Sequence, residues 1–537
     1  MTETVDDEQA PISQRNVILL FAGLMLTMLL ASLNQTVLST ALPTIVGELD
    51  GVDNMTWVIT AYILASTIMM PVYGRISDLL GRRPVIIAAI MLFVVGSIVG
   101  ALAGDVTWLI VGRTVQGLGG GGLMILSQAA IADVVPARDR GKYMGIMGAV
   151  FAVSSVAGPL LGGWLTEGPG WRWVFWINVP LGLVAALAAG LFLRIPRPSR
   201  DGRVDIDYTG MALIAAATTT VVLVCTWAGG TYAWTSGVIL GLIAASVVLA
   251  AAFVAVERRV STPVIPMSLF RDRNFNLVTI AALLIGIVMF GVISYMPTYI
   301  QMVTGVDATV AGLLMIPMMA GLLIASIGSG AAVSRTGRYK AFPIAGAAVM
   351  GVGLALISTL NIDTATWIMC TYLGVMGVGI GLAQQILTLI VQNSFPTAIV
   401  GTATASNNYF RQVGATIGSA VVGSVFASRL ASLIAEKAPA GSVGSADRNS
   451  LTPAMVNGLP DSLRIPIVES YNQALLPIFL VLVPIAVLAV IVLLLVDEKP
   501  LSTTVDNEIL AESLAEGQIV AAPSDSVEGL TPRPREP

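Results

Sequence analysis

The sequence predicts an all-α polytopic membrane protein, built as two pseudo-symmetric six-helix bundles with two further helices inserted between them, fourteen transmembrane helices in all. Three observations carry that expectation. Of 537 residues, 55% are hydrophobic and only 11% charged, where a soluble domain carries roughly 25% charged residues. Apolar stretches of about 20 residues recur along the chain, each long enough to cross a hydrocarbon core of about 30 Å. The third observation is an internal repeat.

Reading apolar runs between charged or Gly/Pro-rich breaks places spans near 17–45, 54–73, 84–103, 107–134, 143–165 and 174–193. Two more follow at 209–228 and 236–256. The last six lie near 276–298, 309–328, 342–360, 367–392, 401–429 and 474–496. The N-terminus is acidic and no small-residue cleavage site follows the first run, so that span is expected to remain in the mature protein.

The connecting loops alternate in charge. One set carries Arg75, Arg82 and Arg83, then Arg138, Arg140 and Lys142, then Arg194, Arg197, Arg200 and Arg203. It continues with Arg258, Arg259, Arg271 and Arg273 and ends with Arg335, Arg338 and Lys340; the short loops of the opposite set hold only Arg172. The positive-inside rule then puts the first set, and both termini, in the cytoplasm of a cell-membrane protein. The domain organisation expected is a cytoplasmic N-tail (1–16), an N-terminal bundle (17–193), linkers with two extra helices (194–275) and a C-terminal bundle (276–496). Segment 430–470 is expected to be external, and 497–537 a disordered cytoplasmic tail.

The repeat shows in "GRISDLLGRR" from Gly74 and "GAAVSRTGRY" from Gly330. Gly74/Gly330, Gly81/Gly337 and Arg82/Arg338 are each offset by 256, as are Gly145/Gly401, Gly158/Gly414 and Gly162/Gly418. Glycines 117, 119 and 121 recur at 377, 379 and 381, offset by 260. Parallel six-span repeats with a site near the midplane between them are a transporter architecture.

Histidine is absent, which removes the usual proton shuttle and the commonest metal ligand. Cys225 and Cys370 both lie within apolar spans and read as packing residues. No nucleophile–base or metal-ligand constellation stands out, so neither an enzyme nor a cofactor is expected. Neither tail has the hydrophobic periodicity of the folded domain a sensor would carry.

Several polar residues do stand out. Gly74 permits close helix approach, and Asp78 lies one turn further on the same face. Asp78 is suited to accept from amides at a helix N-terminus of the other bundle, and Arg82 to pair with an acid at a neighbouring helix end, for which Asp133 is the choice. With Gly81 and Arg83 these form a gating loop that is expected to hold one conformation shut. In span five, Gly145, Gly158, Gly162 and Gly163 leave helix surface open to a partner backbone, and Pro159 can bend the helix. Arg113 and Arg411 are basic residues placed within the bilayer, where charge faces a cavity or a partner. Asn34, in "SLNQTVLSTALP", is an amide deep in an apolar run.

"GRISDLLGRRP", "GRTVQGLGGGG" and "SVAGPLLGGW" together resemble signatures of the major facilitator superfamily, and "WRWVFWINVPLG" with fourteen spans narrows the resemblance to its drug:proton antiporter branch, the multidrug efflux type. The resemblance covers about residues 17 to 496. It implies alternating access, with a substrate cavity reached by Asn34, Arg113, Gln116 and Arg411, and proton-driven efflux of amphipathic drugs. Three positions depart from the pattern. Leu79 stands where a basic residue is usual, Ser154 where a glycine is, and Asn34 where a titratable Asp would be. Proton coupling is therefore expected at acids near the membrane faces, Asp133 first and Asp78 second. The expected partners are small amphipathic substrates, protons and the bilayer, with no nucleic acid, and the chain is expected to act as a monomer. Export of an endogenous lipid, siderophore or metabolite is the alternative, ahead of a membrane-embedded enzyme or sensor.

Overall fold

The computed structural model describes residues 14–49, 54–193, 205–229, 231–437, 455–456 and 459–502. The acidic tail before residue 14, linker 194–204, most of the 438–458 stretch and the tail after 502 lie outside them. Helices account for the architecture. The N-terminal half contributes α1 (Gln14–Glu48), α2 (Met55–Leu80), α3 (Arg82–Ala101), α4 (Val106–Val134), α5 (Ala137–Glu167), α6 (Trp173–Trp176) and α7 (Asn178–Phe192). The inserted pair is α8 (Tyr208–Trp227) and α9 (Gly237–Glu257). The C-terminal half contributes α10 (Arg273–Ile293), α11 (Met296–Thr304), α12 (Ala308–Leu314), α13 (Ile316–Thr336), α14 (Ala341–Ser358), α15 (Thr366–Ser394), α16 (Thr397–Lys437) and α17 (Asp461–Leu494).

Fourteen stretches among the described residues are long and apolar enough to cross a membrane. Three of them are broken helices: α6 with α7, α10 with α11, and α12 with α13. Pro297 and Pro317 sit in the first turns of α11 and α13, where a missing N–H costs nothing but the preceding helix cannot continue through it.

Apolar runs mark the membrane core but not the helix ends. The segment expected to be a loop from Gly74 is the last part of α2, which runs to Leu80, and only Gly81 leaves the helix. Its φ of 90°, like the 72° of Gly337 in the second copy, is a left-handed turn conformation that suits glycine, which is why this pair repeats. Helix α1 already begins at Gln14, inside the expected tail. The 430–470 stretch is helical at both ends, since α16 runs to Lys437 and α17 starts at Asp461. Residues 497–502, expected to be disordered, are ordered against the basic loops (below).

Lipid offers no hydrophobic drive between helices, so small residues set the packing. No Cβ fits on Gly117 or Gly121 against the backbone of α2, nor on Gly119 against α3. Gly377 and Gly381 meet α13 in the same way, and Gly379 meets α14. The repeat is therefore a repeat of helix contacts. At the seam between the halves, Gly74 faces the carbonyl of Gly401 and the side chain of Ala405, while Gly330 faces the carbonyl of Gly141 and the Cα of Gly145. This corrects the pairing of α5 with α16: the counterpart of Gly401 is Gly141, one turn before Gly145, whose own counterpart is Ala405, and the same slip takes Gly158 and Gly162 off Gly414 and Gly418. The two positions share a helix face, so a one-turn slip looks the same in sequence.

The inserted pair packs beside this seam. Helix α8 touches both α2 and α16, with Thr218 and Tyr409 hydroxyls 2.9 Å apart and Trp57 against Trp227. Helix α9 is mostly exposed, as at Leu240, Val247 and Val248, which suits lipid.

Candidate functional site

The helix ends that carry Arg75, Arg82, Arg140 and Arg338 form one face, called here the basic end. There α2 is clasped to α16. Asp78 Oδ2 accepts from the Thr402 backbone N–H at 2.7 Å and from the Thr402 hydroxyl. Asp78 Oδ1 pairs with Arg82. Arg82 Nε donates to Asp133 Oδ2 at 2.8 Å, and its Nη1 donates to Ser77 Oγ at 2.6 Å. Thr402 lies in the second turn of α16 and turns both its N–H and its hydroxyl to the carboxylate. Asp78 and Arg82 are buried, whereas Asp133 keeps 11% of its side chain exposed. Leu79 is buried, and Arg83 turns outward to the Gly190 carbonyl.

Arg140 adds a second tie. Its guanidinium donates to the Ala132 and Val135 carbonyls at the C-terminal end of α4 and reaches Gln392 O of α15 at 3.3 Å. In the second repeat Ser334 takes the place of Asp78, accepting from Lys142 N–H at 3.1 Å.

Residues 497–502 lie across this end. Glu498 Oε1 accepts from Tyr339 and Lys340 N–H, and Asn274 exchanges hydrogen bonds with the Asp497 backbone. Lys499 N–H donates to the Tyr339 hydroxyl at 2.6 Å. Burial pushes the Tyr339 phenol above its ordinary range, so it stays a neutral acceptor. Pro500 O accepts from Asn393, and Ser502 O from Arg138 N–H at 3.0 Å, so this strap reaches from the C-terminal half to α5.

A second polar cluster sits inside the N-terminal half. Gln116 Nε2 donates to Asn34 Oδ1 at 3.0 Å and to Ser97 Oγ at 2.7 Å, and Asn178 also donates to Asn34 Oδ1 at 3.2 Å. Arg113 donates to Gln116 Oε1 at 2.5 Å and to Val58 O, and stacks over the Tyr62 ring at 4.2 Å. Asn34 is thus an interhelical acceptor joining α1 to α4 and α7. Asn34, Arg113 and Gln116 are at most 1% exposed, so the sequence expectation that they reach a cavity is not met in this conformation.

Arg411 stands apart from that cluster. Its guanidinium donates to Asn408 Oδ1 at 2.5 Å, and Asn408 donates to Gln128 Oε1 at 3.0 Å across the seam. Gln392 Nε2 meets Gln128 O at 3.2 Å. Around them runs a buried, uncharged polar stripe on α4, α15 and α16 in which Gln128 Nε2, Gln385 Oε1, Thr388 Oγ1, Gln392 Oε1 and Thr404 Oγ1 have no partner. Buried polar atoms are rarely left so.

Helix α5 meets both halves. Near the basic end Gly145 lies on Ser326, and Ser326 Oγ donates to Gly145 O at 3.2 Å. Further along, Gly158 and Gly162 admit Thr36 and Val37 of α1, with the Thr36 hydroxyl donating to Ser154 O at 2.9 Å. Pro159 lies beside Gly312. Gly163, expected to meet a partner backbone, has nothing near its Cβ position. Sequence reasoning passed over Tyr62, Ser97, Gln128, Asn178, Gln392 and Asn408. Buried amides in apolar helices were the available signal for four of these.

Two helical repeats around a polar seam, clasped at one end, define a two-bundle membrane transporter. The chain belongs to the Major Facilitator Superfamily, whose family model matches residues 24–419. It is 41% identical over 508 residues to an uncharacterized MFS-type transporter of Mycobacterium tuberculosis (strain ATCC 25618 / H37Rv), covering 94% of this chain and 72% of that one. It is 36% identical over 421 residues to the multidrug transporter protein MdtP of Bacillus subtilis (strain 168), 78% of this chain and 77% of that one. Its fold is similar to the crystal structure of the human organic anion transporter MFSD10, at a TM-score of 0.61 and 15% identity, covering 89% of this chain and 99% of that one.

Proposed function

We propose that this protein is a proton-coupled exporter of amphipathic small molecules that works by alternating access. The observation that carries this reading is the clasp of Asp78 on Thr402 with Arg82 on Asp133, a set of contacts that must break before the halves can rock apart at the basic end. Each charge-assisted hydrogen bond contributes about 1.5–3 kcal/mol, so a few of them hold one state and still allow exchange. With the basic end cytoplasmic and both termini on that side of the cell membrane, the clasp is an inner gate and this conformation is closed to the cytoplasm. Both halves of the gate lie in one chain, so a monomer suffices. The partnerless amides of the seam suit neutral or anionic substrates with hydrogen-bonding groups. The 36% identity to a multidrug transporter supports a drug-like substrate range.

The coupling acids of this reading are those of the gate, Asp133 at its exposed rim and Asp78 within it. The test is dye flux in vesicles containing the purified protein, using ethidium, Nile red and fluorescein as cationic, neutral and anionic probes. Transport of a probe that rises with an imposed pH gradient, and loses that rise in Asp133→Asn, supports the reading. Gradient-driven flux unchanged in Asp133→Asn moves the coupling site elsewhere.

A further inference from the structure

The inserted helices hold two buried acids that the gate does not use. Asp207 precedes α8 and Glu257 ends α9, and they are only 6% and 3% exposed. Asp207 Oδ1 accepts from Gly210 N–H at 2.8 Å as a helix cap, but Oδ2 has no partner. Glu257 accepts from Val264 and Ile265 N–H, one through each oxygen, at 3.2 Å. Both carboxylates crowd the same point: a Cβ on Gly210 would lie 2.6 Å from Glu257 Oε1 and closer still to Asp207 Oδ2. The charge that faces them from the neighbouring helix is Arg75 of α2, itself buried and acting on Glu257.

Two carboxylates this close and this dry do not both hold a negative charge cheaply. One proton shared between them leaves a single negative charge against the single positive charge of Arg75. Removing it leaves two against one.

We propose that Asp207 and Glu257 form a proton-binding site in which Oδ2 of one and Oε1 of the other hold one proton between them. The role follows from position and rests on the proton-coupled reading above. Helix α8 packs on both α2 and α16, the two helices joined by the Asp78–Thr402 clasp. Arg75 lies on the same helix as Asp78, one turn earlier. Loss of the shared proton draws Arg75 more strongly toward the inserted pair and so biases α2 at the gate. Protonation releases it. The ligand is a proton taken from and returned to water, with no bond broken in the protein.

Infrared difference spectra of the purified full-length protein across a pH titration read this directly, through the C=O stretch of a buried protonated carboxyl. A band component is expected that is absent from both Glu257→Gln and Asp207→Asn and retained in Asp133→Asn. In Arg75→Gln, which keeps both acids, its midpoint should move to higher pH, because an opposing positive charge is gone. An unchanged band in the two acid variants overturns the proposal; so does an unmoved midpoint in Arg75→Gln. The readout needs neither substrate nor gradient, so a failure of gradient-driven dye flux would leave the site standing, and its own failure would leave the transport reading standing.

Discussion

Asp78 and Ser334 stand 256 residues apart at matching positions of the two repeats, and each accepts a backbone N–H from a helix of the opposite half. Asp78 takes Thr402 N–H at 2.7 Å, and Ser334 takes Lys142 N–H at 3.1 Å. Thr402 and Lys142 are themselves matched, each five residues into its helix. The same contact is thus made twice, once with a charge and once without. A hydrogen bond to a charged group contributes about 1.5–3 kcal/mol and a neutral one about 0.5–1.5 kcal/mol, so the two ties are unequal and the first should dominate.

That inequality predicts unequal variants. Asp78→Asn should reduce dye export at least about tenfold, the factor that corresponds to 1.4 kcal/mol, while Ser334→Ala should change it by about threefold or less. Initial export rates in vesicles, normalised to inserted protein, compare them. Equal losses would remove the asymmetry, and unchanged export in Asp78→Asn would remove the gate.

The strap at 497–502 should tighten the basic end. Glu498 joins the start of α14 through two N–H groups, and Lys499 is tied to Tyr339 and Asp272. Glu498→Ala should speed proteinase K cleavage within 497–502 several-fold in folded protein. Cleavage at the native rate would show that these hydrogen bonds do not hold the segment down.

Fold and site were legible to different depths. The fourteen spans among the described residues are legible because hydropathy and length suffice in lipid, where backbone groups must pair within the helix. The ends differ where polar residues are buried by protein: α2 continues to Leu80, with Asp78 covered by Thr402 of α16. Asp78, Arg82 and Asp133 were readable because their local spacing fixes which helix ends they occupy. The cluster around Asn34 joins residues up to 144 apart, and the seam joins Gln128 to Asn408, 280 apart. Only packing brings those together. Glu257 was passed over because, at the very end of α9, it reads as a loop acid.

Arg411 should set charge preference. It reaches the seam through Asn408 and has no carboxylate among its described hydrogen-bond partners. Arg411→Ala should weaken binding of fluorescein about tenfold or more, the scale of a charged hydrogen bond, and that of Nile red little. Fluorescence titration of the purified protein checks this. Equal loss for both dyes would place Arg411 in packing only.

Asn34 should be a latent coupling position. Asn34→Asp puts a titratable group among Gln116, Asn178 and the Arg113 cluster, where native transport has none. Export should then depend more strongly on pH than it does in the native protein, and accept ethidium better. Identical pH profiles for the two proteins would show that this cluster never communicates with substrate.

Orientation should follow the arginines. Ser261→Cys, in the loop after α9, should resist an impermeant thiol reagent on intact cells, and Gly104→Cys should react. The reverse pattern would turn the protein over.

Proton coupling is the central claim, and its most direct measurement is proton movement driven by substrate alone. Vesicles containing the protein, with a trapped pH indicator and no imposed pH gradient, are given a gradient of whichever probe dye the protein transports. The account predicts that the dye gradient moves protons the opposite way, that an ionophore abolishes the pH change, and that Asp78→Asn slows dye and protons together. Dye movement at the native rate with no accompanying pH change would contradict it.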